Sequence, residues 1–208
     1  GATHAGISVG EDGATHQCNE DIALMRTIPG MVVICPADDV EARAAVKAAA
    51  EYEGPVYMRF GRLAVPVIND NPEYEFKIGK GVVLKEGSDL TIVATGLEVG
   101  HALEAAKLLA ADGIDAEVIN IHTIKPLDEE LIVKSAKKTG RVVTVEEHSI
   151  IGGLGSAVCD ALSENAPVPV FKIGVRDVFG ESGPAAELIH KYELDAEGIY
   201  KQIKSKWY

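Results

Sequence analysis

Residues 31–60, MVVICPADDVEARAAVKAAAEYEGPVYMRF, contain the pattern that decides the fold. The apolar run Met31–Cys35, closed by a proline, predicts a buried strand. Either Asp38 or Asp39 can cap the Ala-rich helix that follows, and a Gly-Pro pair ends that helix. The run Val56–Phe60 predicts a second strand. Strand, helix and strand in this order form a right-handed unit with parallel strands, so the sequence indicates an α/β fold.

This first unit cannot form a complete domain. A parallel sheet needs cover on both faces, and two strands with one helix cannot supply it. We therefore expect residues 1–68 to be the C-terminal part of a domain whose N-terminal part is missing, either removed upstream or supplied by another chain. Residues 69–78 are rich in Asn, Asp, Pro and Glu, which is the composition of a linker. An ordinary long surface loop is the alternative.

Residues 79–208 predict a fuller domain. Strands and helices alternate along it, which is typical of a doubly wound, mostly parallel sheet with helices on both faces. Asp128 is the expected cap of the second helix. The predicted strands are residues 90–95, 115–121, 141–145 and 168–173, and the predicted helices are 99–111, 127–138, 153–163 and 195–207.

The charge balance argues against two classes of partner. Lys and Arg number 20 and Asp and Glu number 32, so the net charge is −12, and nucleic acids and anionic membranes should be repelled. The apolar runs are strand-sized, so no membrane span is predicted. Cys18, Cys35 and Cys159 show neither a disulfide framework nor a CxxC spacing, which favours a reducing, cytoplasmic setting.

The densest group of chemically useful residues is THAGISVGEDGATHQ, residues 3–17. Its glycines allow tight turns and close approach of the backbone to a ligand. His4 and His16 can donate to hydroxyls or phosphates, or move protons near neutral pH. A polar surface loop is the alternative. A zinc site formed by His4, Asp12, His16 and Cys18 is disfavoured because the spacing matches no compact metal motif, so no metal ligand is assigned.

Arg59 and Arg62 flank the end of the second predicted strand, where ligands of open parallel sheets bind. An arginine there can hold a phosphate through two parallel hydrogen bonds, which a protein of this negative charge would need. The sequence favours that role for Arg62, which lies just past the strand. For Arg59, a salt bridge to a carboxylate is an equal alternative.

The loop GGLGS, residues 152–156, resembles a dinucleotide-binding loop only loosely, because Val158 replaces the third glycine. We interpret it as a tight strand-to-helix turn. The preceding residues 146–148, Glu-Glu-His, could form a small polar site or an interface. Three histidines have no chemically active neighbours in the sequence and are interpreted as surface or capping residues: His101, His122 and His190.

Four stretches together resemble the transketolase family, and in particular the C-terminal subunit of a transketolase encoded as two chains: GEDGATHQ at 10–17, PGM at 29–31, PAD at 36–38 and RFGR at 59–62. The resemblance covers essentially the whole chain. It implies that residues 1–68 are the end of a thiamine-diphosphate pyrimidine-binding domain and residues 79–208 a transketolase C-terminal domain. The activity it implies is transfer of a two-carbon ketol unit between sugar phosphates, as in the pentose phosphate pathway.

The resemblance also implies roles for four residues. His4 and His16 would lie in the substrate channel and hydrogen-bond the reacting carbonyl and hydroxyls, Asp12 would bind the C2 hydroxyl of the donor, and Arg62 would hold the sugar-phosphate end. The complete enzyme would use thiamine diphosphate and a divalent metal, Mg²⁺. The family's activating glutamate lies upstream of His4, and its metal and diphosphate motif belongs to another domain. This chain is therefore expected to bind no cofactor by itself and to be inactive alone.

The implied partner is a diphosphate-binding N-terminal section, in a homodimer or a two-plus-two heterotetramer. Three other functions stay open. A 1-deoxy-D-xylulose-5-phosphate synthase has a similar His…Gly-x-Asp-Gly…His pattern, although Glu11 and Gln17 favour transketolase. A 2-oxoacid dehydrogenase β subunit has no obvious counterpart of the Asp12-Gly13 pair. A non-catalytic assembly domain is the alternative from a different class.

Overall fold

The apolar runs form two sheets in a computed structural model that describes residues 2–208. The first sheet has four strands, which in spatial order are β1 (Ala2–Thr3), β3 (Val56–Phe60), β2 (Val32–Ile34) and β7 (Thr123–Lys125). Strands β1 and β2 pair parallel with β3. The fourth strand, β7, runs antiparallel to β2 and comes from the second half of the chain.

The second sheet has five strands, which in spatial order are β4 (Val82–Lys85), β6 (Ala116–Asn120), β5 (Leu90–Ala94), β8 (Val142–Ser149) and β9 (Val170–Val175). All of its pairs are parallel except the antiparallel pair of β4 with β6. One face carries α3 (Glu98–Ala111) and α7 (Ala196–Trp207), and the other carries α4 (Glu129–Thr139) and α5 (Leu154–Asn165). The predicted doubly wound, mostly parallel sheet is confirmed.

The two faces of this sheet follow from the alternation of side chains along each strand. In β5, Ile92 packs in the core beneath α3 and α7, whereas its neighbour Val93 packs in the core beneath α4 and α5. Both side chains are fully buried. A strand that is buried at every position, as β5 is, therefore needs helices on both sides.

Aspartates set the starts of three helices. In α2 (Asp39–Glu51), Asp38 is the cap, and its carboxylate accepts from the Glu41 amide at 2.8 Å. Asp128 caps α4 as predicted, and Asp195 caps α7. The left-handed φ of 72° at Gly140 then ends α4.

Several short elements were not predicted. These are β4, β7, two seven-residue helices, α1 (Asp21–Thr27) and α6 (Ala185–Lys191), and a 3₁₀ turn over Ile7–Asp12. The two helices and the 3₁₀ turn, of seven residues or fewer, are too short to show a helical period. The strand β8 also runs to Ser149, beyond its predicted end. The prediction stopped too early because residues 146–148 are polar. Within residues 2–208, no helix has the length and apolar character needed to cross a bilayer.

Residues 61–81 form neither a helix nor a strand, but they pack closely on the rest of the molecule. The amides of Ile68 and Asn69 donate to the second carboxylate oxygen of Asp38 at 2.8 and 2.7 Å. The Phe76 ring stacks on His122 with centroids 4.3 Å apart. His122 is 1% exposed, so the interpretation of this histidine as a surface or capping residue was wrong. Its burial lowers its pKa to about 4.

The two sheets meet at the carboxyl ends of their strands. Cys35, just after β2, donates its amide to the carbonyl of His122 at 2.8 Å and accepts from the hydroxyl of Thr95, just after β5, at 3.3 Å. Arg59 in β3 donates to the carbonyl of Glu147 in β8 at 2.8 Å. Open parallel sheets usually bind ligands at this edge, and here each sheet covers the edge of the other.

Candidate active site

The loop after β1 carries three of the four predicted site residues. Its first residues are fixed to the first sheet, since the Ala5 amide donates to the Phe60 carbonyl at 3.2 Å and the Gly6 amide to the Cys18 carbonyl at 2.9 Å. The chain then forms the 3₁₀ turn Ile7–Asp12, which is broken at Gly10 by a φ of 82°. Residues with a side chain rarely adopt this backbone conformation, so the turn requires glycine at this position.

Asp12 and Arg62 form an ion pair at the surface. Arg62 Nη1 lies 2.8 Å from Asp12 Oδ2 and 2.8 Å from the Val9 carbonyl oxygen. The Arg62 side chain is 42% exposed and that of Asp12 49%. The structure therefore brings together the residue predicted to hold phosphate and the one predicted to hold a hydroxyl, with both open to solvent.

His4 and His16 are also exposed on this loop. His16 Nδ1 lies 2.9 Å from the hydroxyl of Thr15. His4 has a φ of 63°, which is uncommon outside glycine and costs energy that functional sites often carry. Within the part of the chain that the structure describes, no hydrogen bond or ion pair joins either histidine to Asp12 or Arg62. Both imidazoles are therefore available to a ligand.

Arg59 has a structural role instead of a phosphate-binding one. It is 3% exposed, its Nε lies 2.8 Å from Asp21 Oδ2, and Tyr57 donates to the same oxygen at 2.8 Å. Burial opposes the guanidinium charge, but the Asp21 carboxylate more than compensates and raises the pKa of Arg59. The salt-bridge alternative for Arg59 is the one that the structure supports.

The Glu-Glu-His stretch is buried and holds the two halves of the chain in place. Glu147 Oε1 accepts from the Ser8 amide at 2.6 Å, and burial raises the pKa of Glu147 to about 7. Glu146 accepts from the amides of Leu154 and Gly155 at 2.6 and 2.8 Å, and burial raises its pKa to about 7 as well. A carboxylate of the chain itself thus fills the turn that resembles a nucleotide-binding loop, and the structural interpretation of that turn is confirmed.

The other two histidines interpreted as surface or capping residues have acidic neighbours. His101 is partly buried, with Nδ1 3.2 Å from Glu98 Oε2. Burial opposes its charge, but the hydrogen bond with Glu98 raises its pKa. His190 is exposed and contacts Asp195, the cap of α7, at 2.6 Å. Neither histidine belongs to the loop of predicted site residues.

A cavity of about 330 Å³ lies where the two sheets meet. Ser8, Cys35, Arg59 and Glu147 line its polar side, and an apolar wall formed by residues such as Leu63 and Leu97 completes it. None of the four predicted site residues lines this cavity. The candidate active site is therefore the open surface around Asp12 and Arg62.

Sequence reasoning missed the groups that support this loop from behind. Gln17 was used only to distinguish families, yet its side-chain amide donates to three main-chain carbonyls. Ser182 donates to the carbonyl of Glu11 at 2.5 Å. Glu181 and Ser182 lie more than 160 positions from the loop residues that they contact, so the local sequence pattern gives no sign of these contacts. Only the glycines of FGESG, residues 179–183, hint at close packing there.

Comparison with known proteins matches both halves of the chain. The family model for the transketolase pyrimidine-binding domain matches residues 1–67, and the one for the transketolase C-terminal domain matches residues 79–199. A Methanocaldococcus jannaschii protein named for the C-terminal section of a transketolase is 53% identical over 97% of this chain, which spans 64% of that protein. A 1-deoxy-D-xylulose-5-phosphate synthase of Heliobacterium modesticaldum is 44% identical over 95% of the chain and 31% of its own length.

A solved structure has the same fold. It is of a split-gene transketolase in the form of an inactive β4 tetramer, and it superimposes with a TM-score of 0.90 at 55% identity, covering 98% of this chain and 65% of that one. This chain thus spans about two thirds of the length of its relatives or less. Because its pyrimidine-binding segment and its C-terminal domain both match the transketolase family models, the chain belongs to the transketolase family.

Proposed function

We propose that this chain is the C-terminal section of a thiamine-diphosphate-dependent transketolase that moves a two-carbon ketol unit between sugar phosphates. The observation that carries the proposal is the contact between Asp12 and Arg62 at 2.8 Å on an exposed surface. It joins a group suited to a sugar hydroxyl with one suited to a phosphate, on a loop that also carries two exposed imidazoles. A sugar phosphate needs all of these groups.

Each residue then has a defined task. Arg62 binds the phosphate through charge-assisted hydrogen bonds and exchanges its Asp12 partner for the ligand. Asp12, once released, accepts from a hydroxyl of the donor sugar. His4 and His16 donate to the reacting carbonyl oxygen and to sugar hydroxyls, and they hold or return the proton as charge develops on that oxygen. These are tasks of substrate binding and proton transfer.

The transketolase family generally uses thiamine diphosphate, which when bound would supply the nucleophilic carbon for the donor carbonyl. The described residues do not fit the whole cofactor. Residues 2–208 contain no group of three or more His, Cys, Asp or Glu side chains placed to hold a metal ion, which a magnesium diphosphate needs. The chain's own polar groups match a sugar phosphate instead.

The proposed partner is therefore a diphosphate-binding N-terminal section of a transketolase. It would bring the cofactor and the metal to the loop of residues 4–17, and the chain alone would be inactive. The proposed assembly is a homodimer or a two-plus-two heterotetramer. The assembly of the solved split-gene relative, which is a tetramer of β subunits, supports self-association of such a section.

The test uses the full-length subunit copurified with its N-terminal partner, supplied with thiamine diphosphate and Mg²⁺. Transfer from a ketose phosphate such as xylulose 5-phosphate to an aldose phosphate is measured. His16→Ala should lower kcat by about 100-fold, the usual scale for an acid–base group. His190→Ala, which removes another exposed histidine, should leave kcat unchanged. Full activity of His16→Ala, or turnover by the isolated chain, would contradict the proposal.

A second candidate function is that of a 1-deoxy-D-xylulose-5-phosphate synthase section, which the 44% identity to such an enzyme supports. The synthase takes pyruvate as its donor, whereas a transketolase takes a ketose phosphate. The same complex assayed with pyruvate and an aldose phosphate separates the two. Activity with neither donor would favour the non-catalytic assembly domain.

A further inference from the structure

One buried side chain connects the loop of predicted site residues with the far end of the sequence. Gln17 is 5% exposed. Its Nε2 donates to the carbonyls of Ile7 at 3.0 Å, Gly10 at 3.2 Å and Glu181 at 2.8 Å. Two of these acceptors lie in the loop itself, and the third lies 164 positions away, before α6. A single amide group therefore closes the loop and fixes it to the C-terminal domain.

The segment of residues 180–183 fits against the same loop at several other points. Ser182 donates its hydroxyl to the Glu11 carbonyl at 2.5 Å. A side chain at Gly10 would come within 3.3 Å of the Gly183 carbonyl oxygen, and one at Gly13 within 3.3 Å of Ser182 Cβ. A methyl group on Gly180 would overlap Gln17 Oε1. Glycines on both sides thus allow a close fit.

The contact between residues 180–183 and the loop is made by the immediate sequence neighbours of Asp12 and His16. Gln17 follows His16 in the sequence, and Glu11 precedes Asp12, so each site residue is adjacent to a residue held by the contact. The side chains of Asp12 and His16 are exposed, and surrounding packing does not fix their positions. The backbone of residues 10–17 must do so, and an error of about 1 Å in such a group can lower a rate by about 100-fold.

We propose that Gln17 and residues 180–183 of the C-terminal domain are positioning residues, which hold the backbone of residues 10–17 in the shape that aims Asp12 and His16 at the substrate. The inference rests on the proposed function and assigns the C-terminal domain a part in the reaction. It predicts that a substitution in that domain, far from the substrate, changes the chemical step through Gln17.

The test is a double-mutant cycle in the copurified full-length complex. Gln17→Ala removes the three hydrogen bonds and should lower kcat by roughly 30-fold or more, with KM for the donor changed less than about 3-fold. Gly180→Ala places its methyl group against Gln17 and should lower kcat by about 10-fold. In the Gln17→Ala background the overlap is relieved, so Gly180→Ala should then cost less than about 2-fold. Losses that simply multiply would overturn the inference.

Gln202→Ala is the matched control. Gln202 also donates its amide to a main-chain carbonyl, that of Glu193 at 2.9 Å, but it does not contact the loop. It should leave kcat unchanged. Ser182→Ala is the milder variant if Gln17→Ala fails to fold, and it should lower kcat by roughly 3- to 10-fold with an unchanged Tm. A fall in Tm without a fall in kcat per folded complex would mean that the contact only stabilises the protein.

Amide hydrogen exchange separates this inference from the proposed function. In Gln17→Ala, residues 10–17 should exchange at least 10-fold faster than in the unsubstituted protein, whatever the reaction is. If His16→Ala retains full ketol transfer, the proposed function fails. If His16→Ala loses activity and Gln17→Ala retains it, only the positioning inference fails.

Discussion

Asp12 Oδ2 lies 2.8 Å from Arg62 Nη1, although the two residues are 50 positions apart in the sequence. Both side chains are about half exposed, so the pair contributes little to stability. Under the proposed function its role is in binding, because a ligand phosphate would replace the carboxylate at the guanidinium.

Arg62→Lys should weaken binding of phosphorylated donors selectively. Lysine keeps the positive charge but lacks the planar guanidinium that makes two parallel hydrogen bonds to a phosphate. A charge-assisted hydrogen bond contributes about 1.5 kcal/mol or more, so KM for a ketose phosphate should rise by about 10-fold. The parameters for the unphosphorylated ketose should change little. Arg43→Lys, in an exposed ion pair on α2, is the control. An equal loss with both donors would contradict the assignment.

Arg59→Met should destabilise the fold by about 3–5 kcal/mol, because it leaves the Asp21 carboxylate buried without its partner. The double variant Arg59→Met/Asp21→Leu should regain a substantial part of that loss. Urea denaturation measures the free energy of unfolding in each case. Arg43→Met, which breaks an exposed pair, should change it by less than about 0.5 kcal/mol. A small effect of Arg59→Met alone would show that the Asp21 carboxylate can be buried without its partner at little cost.

Glu147→Gln should make the stability less dependent on pH. Burial raises the pKa of Glu147 from 4.5 to about 7, so the folded protein retains a proton that the unfolded chain has already released. The free energy of unfolding of the original protein should therefore fall as pH rises from about 4.5 to about 7. Glutamine still accepts from the Ser8 amide and does not titrate. The fall should be smaller by roughly 2–3 kcal/mol in the variant.

The measurement is urea denaturation at several pH values across this window. Glu164→Gln, at an exposed position of α5, should follow the original profile. The remaining slope in Glu147→Gln belongs to other buried acids, among them Glu146. Identical slopes in Glu147→Gln and the original protein would mean that Glu147 is already charged at low pH in the folded state.

Gly153→Ala should destabilise the protein by about 1–3 kcal/mol, because its methyl group would overlap the Glu146 carboxylate that binds the start of α5. Gly61→Ala is the matched control. A methyl group there meets no atom within 4 Å, so the change should be within about 0.5 kcal/mol. Thermal unfolding compares the two. Equal Tm values would show that the turn can move away from Glu146.

Elements with a clear apolar pattern and a clear end could be predicted. The strand Val56–Phe60 has its predicted bounds, and α4 begins after its predicted cap, Asp128. The end of β8 could not be predicted, because Glu146 and Glu147 are polar residues buried by contacts with distant amides. Burial of a charged residue is decided by its tertiary partners, which the local pattern does not contain.

The candidate site, too, could be predicted only where the local sequence carries a signal. The sequence identified the loop with His4, Asp12 and His16 from its glycines and polar residues, and Arg62 from its place after a strand. It did not identify Gln17 as a support, since its third acceptor lies beyond residue 180. It also left Arg59 undecided, because Asp21, its partner, belongs to a helix too short to be predicted.

The position of β7 has a consequence for how the protein is made. This strand covers the open edge of β2, but it is translated only after β6 of the other sheet. During synthesis the outer edge of β2 therefore stays unpaired until residue 125 has left the ribosome. An uncovered strand edge invites pairing with other chains, so the growing polypeptide is most prone to aggregate in that interval. For the same reason, cutting the gene between residues 69 and 78 would deprive the first product of its outer strand.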